Sequence, residues 1–192
     1  MVVLTCTLVV DIDGTLIPVL VNFEELRNRV RRVLNVEDPL RPLGESLYKL
    51  RVEESLKREA WRIIEEAELE SISRLDVSDV GENAKAIRRA ISAGLRVVIV
   101  TTRSYSTAKL VLERLGVLNI IEEVVTRDYT PIRVDQLKYI KEKYGDQVVF
   151  IGDTPYDEYA AREVNVNFIR VSNYRKLPQA VKKATRICLE RF

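Results

Sequence analysis

Leu8-Val9-Val10-Asp11-Ile12-Asp13-Gly14-Thr15-Leu16 is the stretch from which the rest of the chain can be read. Its apolar, β-branched opening has the character of a strand buried on both faces, and that strand stops abruptly at two aspartates and a glycine. Residues i and i+2 of a strand point to the same side, so Asp11 and Asp13 converge on one spot while Ile12 turns back into the core. Gly14 lets the backbone bend where a side chain would obstruct it. A strand followed by an ordinary Asp-Gly turn is the competing reading of these residues.

Downstream of Leu16 the texture becomes helical. Asn22 with Glu25 three residues later opens a helix in the manner of a capping box, and Phe23, Leu26, Val30, Val33 and Leu34 share one of its faces. Pro39, Pro42 and Gly44 break it. A second helical stretch over 45–52 leads into a third, in which Leu56, Ala60, Ile63, Ile64 and Ala67 recur at helical spacing.

From Asp76 onward helices and strands alternate. Helices are expected over 82–93, 106–115, 135–144 and 156–164, with Gly94, Gly116 and Gly145 as stops, and a last helix is opened by Pro178. Strands are expected over 95–100, 120–125, 147–151 and 166–171. Repeated strand-helix-strand units with short connections imply a parallel sheet with right-handed crossovers and helices on both faces. The expected fold class is therefore α/β, a three-layer Rossmann-like core formed by 1–20 and 75–192. Into it a small all-helical cap, 21–74, is inserted.

Composition narrows the chemistry. The chain has 192 residues, 46% of them apolar, enough for a sizeable core, and its net charge of +2 marks no nucleic-acid or membrane surface. Its basic C-terminal stretch, including Lys182, Lys183 and Arg186, reads as a solvated helix face. No histidine is present, which removes Ser-His and Cys-His nucleophiles and imidazole-based zinc sites. Acid-base work falls to carboxylates, Lys or Tyr, and a metal would be a hard cation such as Mg2+ held by oxygen. Cys6 and Cys188 are expected to be small buried hydrophobes with free thiols, as in a reducing cytosol. With no signal-like or membrane-spanning stretch, the expected location is cytoplasmic.

Ligands of open parallel sheets bind beyond the carboxyl ends of the strands. Three such ends carry unusual residues here: Asp11 and Asp13; Thr101-Thr102-Arg103; and Gly152-Asp153-Thr154-Pro155-Tyr156-Asp157. Brought together, these carboxylates would repel one another unless a cation and a basic side chain compensated them. A phosphorylated small metabolite with a divalent ion meets that demand.

In order and spacing, Asp11-Ile12-Asp13-Gly14-Thr15-Leu16, the strand ending at Thr101, and Gly152-Asp153-Thr154-Pro155-Tyr156-Asp157 resemble the haloacid dehalogenase-like hydrolase superfamily, with phosphoglycolate phosphatase-like members the nearest in kind. The helical insertion also sits where that family places its first type of cap. The resemblance implies Asp11 as a nucleophile forming an aspartyl-phosphate, and Asp13 as the acid that protonates the leaving oxygen and the base that activates water. It implies Mg2+ held by Asp11, the backbone carbonyl of Asp13, Asp153 and Asp157, and it implies that Thr101, with Thr102, binds the phosphoryl group. The bland reading of Asp157 is a first-turn helix acid favoured by the dipole.

One element of the family pattern is missing. A lysine, often before proline, precedes the helix ahead of the last acidic motif, whereas this chain reads Thr126-Arg127-Asp128-Tyr129-Thr130-Pro131-Ile132-Arg133. Arg133 falls where the lysine belongs, and Arg127 is the second candidate for binding substrate. Arginine keeps the charge but presents a wide planar fork. The expected activity is Mg-dependent phosphomonoester hydrolysis. Phosphotransfer on the same site, or phospholigand binding without turnover, are its alternatives.

Overall fold

β1 (Thr7–Asp11) lies at the centre of a five-stranded sheet in this computed structural model, which describes residues 6–190. The other strands are β2 (Arg96–Val100), β3 (Glu123–Val125), β4 (Val148–Gly152) and β5 (Asn167–Arg170), all pairing in parallel in the order β3-β2-β1-β4-β5. The expected α/β class and parallel core are what the chain adopts.

Alternation along the strands divides the core into two apolar clusters. Leu8 and Val10 of β1, Val97 and Ile99 of β2, and Val149 and Ile151 of β4 face one side. There they pack under α4 (Gly81–Ser92), α5 (Tyr105–Arg114) and α8 (Leu177–Leu189). Val9, Val98, Val100 and Phe150 face the other side, under α6 (Arg133–Tyr144) and α7 (Pro155–Glu163). Each fully buried aliphatic of this kind contributes about 1.5–3 kcal/mol relative to exposure. β1 is buried along its whole length, as its uniform apolar run requires.

The insertion folds as α1 (Phe23–Leu34), α2 (Leu43–Lys49) and α3 (Glu54–Ser73). Asn22 caps α1, its side chain accepting from the Glu25 N–H at 3.2 Å. These helices bury a third cluster of their own, including Leu26, Val30, Leu47, Ala60, Ile63 and Ile64. The far end of α3 does not belong to it: Ile72 packs into the core cluster on the α4 side of the sheet.

Two expectations need correction. The strand expected over 120–125 is only Glu123–Val125, because Ile120 and Ile121 turn back onto Val117 through backbone hydrogen bonds at 3.1 and 3.3 Å. Cys6 and Cys188 are not free thiols but form a disulfide with Cα atoms 5.6 Å apart. Both side chains are buried, as expected, but α8 returns across the start of β1 and brings together residues 182 positions apart. Closing so long a loop stabilises by roughly 2–5 kcal/mol, and the cysteine argument for a reducing compartment falls. No helix among the described residues is long and apolar enough to cross a membrane.

Candidate active site

The strand order places the site. β2 and β4 flank β1 on opposite sides: the chain runs from β1 outward through β2 to β3, then crosses back to β4, and this reversal of strand order opens a crevice at the carboxyl end of β1. Asp11 ends β1, Thr101 follows β2 and Asp153 follows β4. One carboxylate oxygen from each of Asp11, Asp153 and Asp157 falls within 4.8 Å of the others.

Two glycines make this approach possible. Gly14 has φ +83°, and a Cβ there would stand 2.2 Å from Asp153 Oδ2. At Gly152 a Cβ would stand 2.8 Å from the Asp157 side chain. Asp153 also accepts a 3.3 Å hydrogen bond from the Thr15 hydroxyl, so the turn after β1 steers the acid that follows β4. Asp157 belongs to a reciprocal cap at the start of α7: the Thr154 hydroxyl accepts from its N–H, and its Oδ2 accepts from Thr154 N–H, each at 3.1 Å. The helix-acid reading of Asp157 is thus realised, in a residue that also stands in the acid cluster.

Arg133 enters this cluster as the first residue of α6. Its Nη2 donates to Asp11 Oδ1 at 2.6 Å and its Nε to Asp157 Oδ1 at 2.9 Å, while Gln136 takes Nη1 at 2.8 Å. A planar fork spans two carboxylates that one ammonium would reach less readily. Burial acts against its charge, but Asp11 and Asp157 outweigh that and make the guanidinium harder to deprotonate.

The remaining balance is negative. Burial, with Asp157, Asp153 and Asp13 nearby, pushes the Asp11 carboxyl well above its usual range despite Arg133. Burial first and Asp157 second push Asp153 up to about 6. Three carboxylates against one arginine, with two of them made reluctant to ionise, form a donor set that suits a hard divalent cation. Asp11, Asp153 and Asp157 are the side chains that would hold it.

Above the acids lies a cavity of about 410 Å³. Its core wall includes Asp11, Asp13, Thr102, Arg133, Asp153 and Asp157; its cap wall includes Phe23, Arg27, Arg41, Leu43 and Glu45. Thr101, unlike Thr102, does not line the cavity: it is buried, its hydroxyl accepting from the Arg103 N–H at 3.1 Å and so leaving its own proton to donate. Arg127 is elsewhere. It pairs with Glu68 of α3, donates to the Thr102 carbonyl at 3.1 Å and lies over the Trp61 ring, away from the acid cluster. Of the two arginines considered for the missing lysine, Arg133 is the one in the cluster.

Two residues that carry much of the polar structure here are given no role by the sequence, although Arg103 stands at one of the three unusual strand ends. Arg103 grips the Asp13 carboxylate with two parallel bonds of 2.8 Å. Glu68 is buried between Arg127, Thr107 and the N–H of Ser104. The signal for Glu68 was its spacing, since Ala60, Ile64, Glu68 and Ile72 form one i+4 row, and a carboxylate inside an apolar row needs a partner.

A model of the haloacid dehalogenase-like hydrolase family matches residues 8–162. The chain belongs to this family. Among solved structures, a hydrolase from Pseudomonas syringae is 17% identical with a TM-score of 0.68, over 94% of this chain and 90% of that one. A predicted phosphoglycolate phosphatase from Haemophilus somnus 129PT is 16% identical with a TM-score of 0.60, over 90% and 88%. An L-2-haloacid dehalogenase from Xanthobacter autotrophicus is 16% identical with a TM-score of 0.55, over 87% and 77%. At these identities the likeness is one of fold. No curated protein matches the chain.

Proposed function

We propose that this family member is a Mg2+-dependent phosphomonoesterase acting on a small phosphorylated metabolite through an aspartyl-phosphate. The observation that carries the reading is the cluster of Asp11, Asp153 and Asp157 around Arg133, with Asp13 on the same cavity wall.

Asp11 attacks phosphorus, forming the carboxylate oxygen–phosphorus bond as the bond to the leaving oxygen breaks, and Asp13 delivers a proton to that oxygen. Asp13, now ionised, takes a proton from water as that water attacks phosphorus; inorganic phosphate departs and the Asp11 carboxylate is restored. Arg133 offsets charge on Asp11 throughout, and the Thr101 hydroxyl donates to a phosphoryl oxygen. A bound Mg2+ would neutralise charge on the phosphoryl group.

Phosphate release from an aryl phosphate with and without Mg2+, in the parent and in Asp11→Asn, tests the reading; equal rates in the two proteins sink the nucleophile assignment. The dehalogenase among the related folds supplies the second reading. Asp13 argues against it, since halide displacement has no leaving oxygen to protonate. Halide release from a 2-haloacid without phosphate release from any ester would reverse the choice. Transfer to an added alcohol in excess of free phosphate would mark a phosphotransferase.

A further inference from the structure

The lower end of α3 has an electrostatic problem that its own sequence does not solve. Its last turn carries no basic residue to meet the negative end of the helix dipole, although its final carbonyls are closed by the Arg74 and Leu75 N–H groups and the Ser73 hydroxyl. The core supplies the cations. Arg114 of α5 donates to the Ile72 carbonyl, and Arg103 Nη1 reaches the Glu68 carbonyl at 3.4 Å. Ser71 completes the seat: its hydroxyl donates to the Glu68 carbonyl at 2.6 Å and accepts from Arg103 Nη2 at 3.1 Å.

Arg103 is thereby held on two sides. Its Nε and Nη2 face Asp13, while Nη1 and the second Nη2 hydrogen face the backbone and side chain of α3. The guanidinium is almost wholly buried. The Glu68 carboxylate fixes the same segment from below, taking Ser104 N–H at 3.3 Å and the Thr107 hydroxyl at 2.8 Å. Ser104 is the residue after Arg103 and caps α5. Apart from Asp13 itself, the contacts to the Arg103 guanidinium come from the cap helix, while the Arg103 backbone is held by the Thr101 hydroxyl, by the Arg127 N–H and by the turn that this helix clamps.

We infer that Glu68 and Ser71 are positioning residues for the acid-base step: the end of the cap helix seats Arg103, and Arg103 holds the Asp13 carboxylate at the cavity wall. The inference rests on the phosphomonoesterase reading for its kinetic consequence but not for its geometry. Proton delivery to the leaving oxygen matters most when that oxygen is a poor leaving group, so a misplaced Asp13 penalises phenyl phosphate more than 4-nitrophenyl phosphate. A general weakening of the fold penalises both alike.

The experiment compares kcat/KM for the two esters in the parent, Ser71→Ala, Ser71→Thr and Glu68→Gln. General acid catalysis contributes on the order of 10²–10⁴-fold, so Ser71→Ala should lose about 10-fold more on phenyl phosphate than on 4-nitrophenyl phosphate. Ser71→Thr, which keeps the hydroxyl, should recover the parental ratio, and Glu68→Gln should shift the ratio in the same direction as Ser71→Ala. Equal losses on both esters, or no loss, overturn the inference. A parent that releases phosphate from neither ester sinks the phosphomonoesterase reading instead. The positional claim is then decided by the crystal structure of Ser71→Ala, in which Asp13 should leave its two-bond pairing with Arg103; an unmoved Asp13 overturns it.

Discussion

Two buried ionic clusters sit side by side at the carboxyl end of the sheet, and they are balanced differently. Under α3, the buried Glu68 and the half-buried Asp13 face Arg103 and Arg127, two paired charges of each sign, with hydroxyl and N–H donors filling the remaining positions and the more exposed Glu65 taking the Ser104 and Ser106 hydroxyls at the rim. On the cavity floor, three carboxylates, Asp11, Asp153 and Asp157, meet one directly paired arginine, Arg133, which bonds Asp11 and Asp157. A matched cluster is complete as the chain folds it, whereas a cluster with surplus carboxylates is complete only with something cationic added. Burial by itself does not separate a structural ion pair from a binding site; the residual charge does.

Asp11→Asn is the most severe way to test that distinction. On the proposed mechanism it removes the nucleophile, and phosphate release from 4-nitrophenyl phosphate should fall by more than about 10³-fold while the far-ultraviolet circular dichroism stays parental. A smaller fall would mean that the floor is not the reacting centre. On the matched side, Arg127→Met strands the buried Glu68 carboxylate and should lower the unfolding free energy by about 3 kcal/mol in urea titration. Unchanged stability there would show that the pair under α3 is dispensable to the fold.

Arg133→Met should cost about 10²-fold in kcat/KM, comparable to losing a preorganised donor at a reacting oxyanion, with Arg133→Lys falling between it and the parent. Equal activity in all three would remove Arg133 from the chemistry. The smallest effect is a pH-dependent one. Asp153 has a folded pKa of about 6, above its ordinary 3.8, so the protonated form favours the fold. The stability it contributes is present below pH 4 and is lost as pH rises through 6. Because Asp153 keeps partial contact with solvent, the difference should be about 1 kcal/mol. Asp153→Asn should therefore raise the metal-free melting temperature at pH 7 but not at pH 4, and should abolish any stabilisation by added Mg2+. A variant that melts lower than the parent at pH 7 would reverse the assigned sign.

Much of the floor was legible because parallel strands impose simple rules. Leu8, Val9 and Val10 had to be buried on both faces, Asp11 and Asp13 had to emerge on one side, and Arg133 could be found by counting from Thr126. The cluster under α3 was hidden by its dependence on packing between distant elements. Glu68 lies in a helix crowded with other acids, and only its place in the buried row distinguishes it. Arg103 was visible at the end of β2, but nothing local says that α3 descends far enough to hold it. Cys6 and Cys188 were out of reach for the same reason: their pairing depends on where α8 returns, and sequence separation carries no trace of that.

α3 also has a practical consequence for exchanging parts between relatives. Its upper turns, with Ala60, Ile63 and Ile64, belong to the cap's apolar cluster, while Glu68, Ser71 and Ile72 belong to the core. A chimera spliced at the end of the helix would import a foreign seat for Arg103 along with the foreign cap, and altered selectivity would be confounded with disturbed chemistry. The natural seam lies inside the helix, after Ile64 and before Glu68, where a transplanted cap could bring its own cavity wall and leave the recipient's seat for Arg103 intact.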